Sequence, residues 1–306
     1  MAESAGGAPP PQHRCFRLRG GAARRRGLPG AGTAVTSPVA LTIAGSDSSA
    51  GAGIQADLKT FAAFGVYGLT ALTAVTAQNT TGVRAVQEIS TELIAAQVEA
   101  VADDFQIGAV KTGMLAGVAI IEAVVEVVLR RGLRPLVVDP VMVAKSGARL
   151  LREDAVEALR QRLLPLADVV TPNLPEAQAL TGRRLDSIAD RIAAGRAILD
   201  LGARAVVVKG GHGEEDPVVD LLIDRDGVRE FRAPRRLTRH THGTGCTFSA
   251  AIAAGLAWGR PLAEAAGDAR AYLDRALREA PELGHGHGPL NHFPAADRRE
   301  RLRAGG

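Results

Sequence analysis

Two cysteines, Cys15 and Cys246, are too few to staple a chain of 306 residues, so a disulfide framework is excluded and a reducing cytoplasm is the expected setting. No run of about eighteen apolar residues occurs, which excludes a membrane-spanning helix. Lysine is scarce: Lys59, Lys111, Lys145 and Lys209 stand against 33 arginines. A position that keeps an ammonium in such a chain points to a need for a compact point charge rather than a planar fork. No Gly-Lys dipeptide occurs, so there is no Walker A motif, and Gly51-Ala52-Gly53 is followed by Ala56 where a dinucleotide fingerprint requires glycine.

An excess of charge of either sign is also missing from most of the chain. The net charge is +4, but residues 1 to 37 hold six arginines against Glu3 alone, which leaves the remainder at −1. A near-neutral body carries no electrostatic footprint for nucleic acid, and none is expected as a partner. The segment 1–37, rich in Arg, Gly and Pro, has no apolar periodicity and is expected to be a disordered tail; a further tail is expected at 295–306.

What is present, from Val39 onward, is an alternation of short β-branched runs with amphipathic segments, the pattern of a mainly parallel sheet with helices on both faces. The runs predict strands at 39–44, 69–76, 109–111, 136–139, 168–171 and 205–209, and helices near 53–64, 91–103, 117–131, 153–163, 187–201, 244–258 and 262–279. Asp226-Gly227 between two β-rich runs predicts a late antiparallel hairpin over 218–231. No linker or repeat interrupts 38–294, so one α/β domain is expected there, with ligands at the carboxyl ends of its strands.

The sharpest motif is Thr241-His242-Gly243-Thr244-Gly245-Cys246-Thr247, leading into an alanine-rich helix. Glycines at a helix start let backbone N–H groups converge, and the helix dipole adds positive charge there, so the turn suits an anion. The same dipoles favour a Cys246 thiolate, a form suited to accepting a proton. An ordinary glycine turn with a small buried cysteine fits the same residues. Gln78, after the second strand, can donate and accept at once, matching an aminopyrimidine edge, although an amide bonded to local backbone also fits. Asp57, in the segment after the first strand, has a neighbouring cation or a ligand amine as alternative partners. Met114 and Met142 follow strands and can line a flat apolar slot or fill core. Glu176 and Asp139 suit Mg²⁺ held through waters, and Lys209 suits a nucleotide phosphate.

Taken together, Ala44 to Asp47, Gly51 to Thr60, Ala77 to Thr80, Lys111 to Leu115, Thr171 to Ala177, Lys209 to His212, Thr241 to Thr247 and Gly288 to Phe293 resemble the hydroxymethylpyrimidine and phosphomethylpyrimidine kinases of thiamine biosynthesis, within the ribokinase-like superfamily. The resemblance covers Val39 to Phe293 and implies ATP-dependent phosphorylation of hydroxymethylpyrimidine to the monophosphate and then the diphosphate. It implies Gln78, Met114, Val141, Asp57 and the Gly45 backbone as substrate contacts, and Cys246 as proton acceptor. It further implies the Gly243, Thr244, Gly245 and Cys246 amides around the moving phosphoryl group, Lys209, Asn173 and Thr241 at ATP, Glu176 and Asp139 at Mg²⁺, and a homodimer. One departure is Ala50, where the family frequently has glycine; at positive φ its methyl group strains the loop. Pyridoxal kinases share the fold and the flat hydroxymethyl substrate, and a pyrimidine-binding sensor without catalysis is a third reading. Hydroxyethylthiazole kinases share the Gly-Thr-Gly-Cys turn but not the segments around Asp57 and Glu176.

Overall fold

Alternating valines define the centre of the molecule. In the computed structural model, which describes residues 37–144 and 147–293, Val206 and Val208 point into one apolar layer and Val207 into the other. Leu136, Val137 and Val138 divide in the same way, as do Ala109 and Val110. Successive side chains of a strand face opposite sides, so a strand buried on both must be apolar throughout. These runs form central strands of a nine-stranded sheet.

The strands are β1 (Val39–Asp47), β2 (Tyr67–Asn79), β3 (Gly82–Glu88), β4 (Ala109–Thr112), β5 (Leu136–Val138), β6 (Val169–Val170), β7 (Val206–Val208), β8 (Val218–Ile223) and β9 (Val228–Ala233), in the order β3-β2-β1-β4-β5-β6-β7-β8-β9. From β2 to β7 all neighbours are parallel, and β3, β8 and β9 are antiparallel additions. The chain leaves β1 toward β2 and later returns to the other side of β1 with β4, which makes the β1/β4 boundary the switch point where such sheets open a crevice.

On one face lie α1 (Gly53–Ala63), α7 (Thr244–Ala257) and α8 (Leu262–Arg278); the other face carries α2 (Thr91–Ala102), α3 (Val118–Arg131), α4 (Glu153–Ala158), α5 (Leu174–Thr181) and α6 (Ile188–Asp200). Helix α7 is buried along its length from Thr247 to Gly255, which its alanines permit because they let sheet and neighbouring helices approach closely. Ala265, Ala266, Ala269, Tyr272, Leu273 and Ala276 make the buried stripe of α8 at helical spacing. Among the described residues no helix is long and apolar enough to cross a membrane.

The expected helix at 153–163 is α4 continued by a π turn, Leu159–Leu163. Two elements were not expected. Strand β3 lies at the sheet edge, mostly exposed, and so has no apolar alternation. Helix α5 is announced by a capping box, Asn173 with Glu176, a pattern legible in sequence. The expected tails at 1–37, Ser37 apart, and at 295–306 lie outside the described residues, as does Lys145.

Candidate active site

The loop after β1 is organised by one carboxylate. Asp47 Oδ1 accepts from Ser49 N and Ser49 Oγ, both at 2.8 Å, and Oδ2 accepts from Ala52 N at 2.8 Å and Gly51 N at 3.2 Å. A fifth donor arrives from 195 residues along the chain, His242 Nε2 at 2.8 Å from Asp47 Oδ2. Burial pushes the Asp47 carboxyl up, but the hydrogen bonds from His242 and Ser49 outweigh it and hold the group below its usual range. Asp47 therefore ties the β1 loop to the segment that opens α7.

The two loops meet backbone to backbone. At Gly243, in the left-handed region at φ 82°, a Cβ would lie 1.9 Å from Gly51 O, and at Gly53, φ 59°, one would lie 2.4 Å from Gly45 O. Only glycine tolerates both the conformation and the contact. The Gly243 turn delivers Thr244, Gly245 and Cys246 to the first turn of α7, where amides lack intrahelical acceptors. The Gly45 backbone adjoins Met114, whose sulfur would lie 3.2 Å from a Cβ there. Thr73 Oγ1 fixes the Met114 carbonyl at 2.7 Å. Val141 follows β5 in a tight turn, its N–H donating to Asp139 O at 2.8 Å. Gln78, at the end of β2, pairs its backbone with Ser48 Oγ at 2.7 and 2.8 Å and brings its amide within 3.1 Å of His242 Nε2.

Behind the turn lie the charges. Lys209 Nζ donates to Asp139 Oδ1 at 2.9 Å and lies 3.9 Å from Glu176 Oε2. A Cβ on Gly245 would sit 3.3 Å from Lys209 Nζ and 3.6 Å from Asp139 Oδ2, so ammonium, carboxylate and turn adjoin. Burial raises the Asp139 carboxyl, yet Lys209 and Lys111 hold it below its usual value. Glu176 is pushed up to about 7, first by burial and further by Asp139, against the pull of Lys209. Glu176 also closes the α5 capping box: its Oε2 accepts from Asn173 N and its own N–H donates to Asn173 Oδ1, both at 2.8 Å. Thr241 sits at the turn before α7, its carbonyl accepting from Thr244 N at 3.4 Å. Glu176 and Asp139 face one shared ammonium, and among the described residues no three His, Cys, Asp or Glu groups gather for a metal. Two carboxylates of this kind fit a Mg²⁺ that keeps most of its ligands as water and phosphate, and do not fit a cage of protein ligands.

Two expectations change. Asp57 is fully buried, with Thr42 Oγ1 donating to it at 2.6 Å and Lys111 Nζ donating at 3.0 and 2.9 Å. Both oxygens are engaged, so Asp57 meets the ammonium of β4 rather than a substrate. Cys246 is not held as a thiolate either: burial pushes its thiol up to about 11, with Lys111 and the Gly53 N–H pulling down and Asp57 and Asp139 pushing up. Desolvation of an anion here exceeds what the helix start returns. Ala50 has φ 60°, the strained alternative, stabilised by its N–H donating to Asp47 O at 2.9 Å and its carbonyl accepting from Lys59 Nζ at 2.8 Å.

Asp47, His242 and Lys111 lie within the sequence motifs, and the motifs alone assign them no role. For Asp47 a signal existed, an acid at a strand end ahead of small residues whose amides can converge on it. For His242 none did, because its partners lie 164 and 195 residues away.

Comparison with known proteins fits this geometry. The phosphomethylpyrimidine kinase family model matches residues 47–291. The hydroxymethylpyrimidine/phosphomethylpyrimidine kinase of Rhizobium meliloti (strain 1021) is 54% identical over 258 residues, 83% of this chain and 97% of that protein. The ADP complex of Bacillus subtilis pyridoxal kinase superposes with a TM-score of 0.80 at 42% identity, covering 85% of this chain and 99% of that one. The phosphomethylpyrimidine kinase of Clostridium difficile 630 gives 0.71 at 43% identity, covering 79% and 100%.

Proposed function

The chain belongs to the phosphomethylpyrimidine kinase family, and from that premise we propose that it transfers the γ-phosphoryl group of ATP to the hydroxyl of 4-amino-5-hydroxymethyl-2-methylpyrimidine, and then a second phosphoryl group to the monophosphate, in thiamine biosynthesis. The observation that carries this reading is one continuous path of contacts. It runs from the Gln78 amide through His242 and the Gly243 to Cys246 turn to Lys209, and that adjacency supports reading Gln78 as the ring contact, Cys246 as the proton acceptor and Lys209 as the phosphate cation.

In this reading the pyrimidine lies against Gly45, Met114 and Val141 with its edge at Gln78. The first-turn amides of α7 and the positive helix end stabilise charge on the phosphoryl group in flight, which for a loose transition state is most of the catalytic task. Cys246 takes the hydroxyl proton. Lys209, with Thr241 and Asn173 near the same strand ends, holds the nucleotide. Glu176 and Asp139 would hold Mg²⁺ through waters, and that ion supplies neutralisation of phosphate charge when bound. The enzyme is read as a cytoplasmic homodimer, with sedimentation velocity at micromolar concentration as the check.

Product analysis tests the reading directly: purified protein, ATP, Mg²⁺ and equal amounts of hydroxymethylpyrimidine and pyridoxal, followed by mass spectrometry. Pyrimidine monophosphate followed by diphosphate is the expected result. The 42% identity to a pyridoxal kinase makes pyridoxal the competitor of interest, and pyridoxal phosphate as sole product would move the function there. No product from either would leave a pyrimidine-binding sensor.

A further inference from the structure

The Gln78 amide has two ends that differ only in hydrogen-bonding polarity, and their surroundings decide which is which. As placed, the amide nitrogen lies 3.1 Å from His242 Nε2 and the oxygen 3.5 Å from Thr76 Oγ1, an arrangement that the neighbouring hydrogen bonds do not support. His242 Nε2 also lies 2.8 Å from Asp47 Oδ2. Asp47 already accepts from Ser49, Gly51 and Ala52 and is a carboxylate, so the proton between it and His242 belongs to Nε2. A protonated Nε2 cannot accept from an amide NH2 and requires the Gln78 oxygen beside it. Thr76 gives the same answer independently: its one proton donates to Ser46 O at 2.9 Å, so the amide end beside its oxygen must be the NH2. On both counts the amide is turned over from that placement, with Oε1 facing His242 and Nε2 facing Thr76.

We propose that Asp47 and His242 act as positioning residues that set the polarity of the Gln78 amide and thereby determine which way round an aminopyrimidine sits. The inference rests on the pyrimidine reading of the site. Each end of the amide keeps one valence for a ligand, a lone pair on Oε1 and an N–H on Nε2. An aminopyrimidine edge offers an exocyclic N–H beside a ring-nitrogen acceptor, so the amine docks on the His242 side and the ring nitrogen on the Thr76 side. The hydroxymethyl group stands on the ring carbon next to the one bearing the amine, on the side away from that nitrogen. With the amine toward His242, the hydroxyl is carried toward Gly243 to Cys246, the residues that follow His242 in the chain. The opposite polarity would turn it away from the proton acceptor.

Two measurements test this. Long-range ¹H–¹⁵N correlation on protein labelled at histidine reads the His242 ring without any substrate: a proton-bearing Nε2 is expected, and a bare, accepting Nε2 overturns the assignment whatever the protein phosphorylates. The second measurement is the ratio of kcat/KM for hydroxymethylpyrimidine to that for its analogue lacking the 4-amino group. His242→Phe keeps a flat ring but no donor and is expected to lower that ratio about tenfold, the size of one well-placed hydrogen bond. His242→Gln, which can restore an N–H at that reach, is expected to bring it back to within about threefold. Equal losses on both substrates would mark His242 as a packing residue and sink the proposal. A wild type that ignores the aminopyrimidine would instead sink the functional reading, while the ring measurement still decides the amide polarity.

Discussion

Cys246 rests as a thiol, because burial lifts it to about 11, and so it has to lose its proton before it can take another. In the proposed mechanism the active form is the thiolate, whose share grows about tenfold per pH unit well below that value. The expected outcome is a kcat/KM that rises across the neutral range in wild type, and a Cys246→Asp variant whose profile is level once its carboxylate has ionised. A level wild-type profile would remove Cys246 as the base. Cys246→Ala is expected to cost roughly 10²- to 10⁴-fold in turnover while pyrimidine affinity, read by calorimetry, stays within about threefold. Ala50 offers a second test at this scale. Its φ of 60° costs an L-residue about 1–2 kcal/mol, partly offset in Ala50→Gly by added freedom of the unfolded chain, so that variant is expected to gain up to about 1 kcal/mol in urea unfolding. A loss of stability would show that the loop is unstrained. Both residues stood out in the sequence, one by its motif and one as a departure from glycine, but neither the ionisation of the first nor the backbone of the second is a local property.

At the scale of elements, the pair between Lys111 on β4 and Asp57 on α1 couples a strand to a helix through groups with no solvent exposure. Burial alone would strip the Lys111 proton, but the Asp57 carboxylate, with help from Asp139, holds it above its ordinary value. Removing one partner strands a buried charge, so Asp57→Asn is expected to cost about 3–5 kcal/mol in denaturant unfolding. Asp57→Leu combined with Lys111→Met is expected to recover most of that loss, and a single Asn variant as stable as wild type would contradict the account. The sequence marked Lys111 as unusual through the scarcity of lysine, and placed α1 and β4 nearly to the residue. The pairing was missed because 54 positions separate the partners and the same stretch offered Asp57 a ligand as an equally good partner. Helix α5 shows the opposite case, a box of Asn173 and Glu176 written in four consecutive residues.

For the whole molecule, the proposed site draws its residues from the ends of β1, β2, β4, β5, β6 and β7 together with the start of α7, so ligand binding there would report on global folding rather than on one loop. Hydroxymethylpyrimidine at about 100 times its dissociation constant is expected to add about 2.7 kcal/mol, seen as a rise in Tm of several degrees. Cys246→Ala is expected to keep that rise, since the thiol acts on the moving proton; a variant that loses both rise and turnover would make Cys246 a binding residue.

Legible in the chain alone were most of the elements, β3 and α5 excepted, their order and the strand ends at which the unusual residues gather. Hydrophobic period, turn chemistry and the Gly-Thr-Gly-Cys turn are local and survive without neighbours. Only the fold sets which charges are partnered and which are desolvated: Asp57 with Lys111, Asp47 with His242, Cys246 as a thiol, and the Gln78 amide within 3.1 Å of the imidazole, where its proposed polarity is set. Ionisation and amide polarity depend on burial and on groups within about 3 Å, and in this fold those groups come from distant parts of the chain.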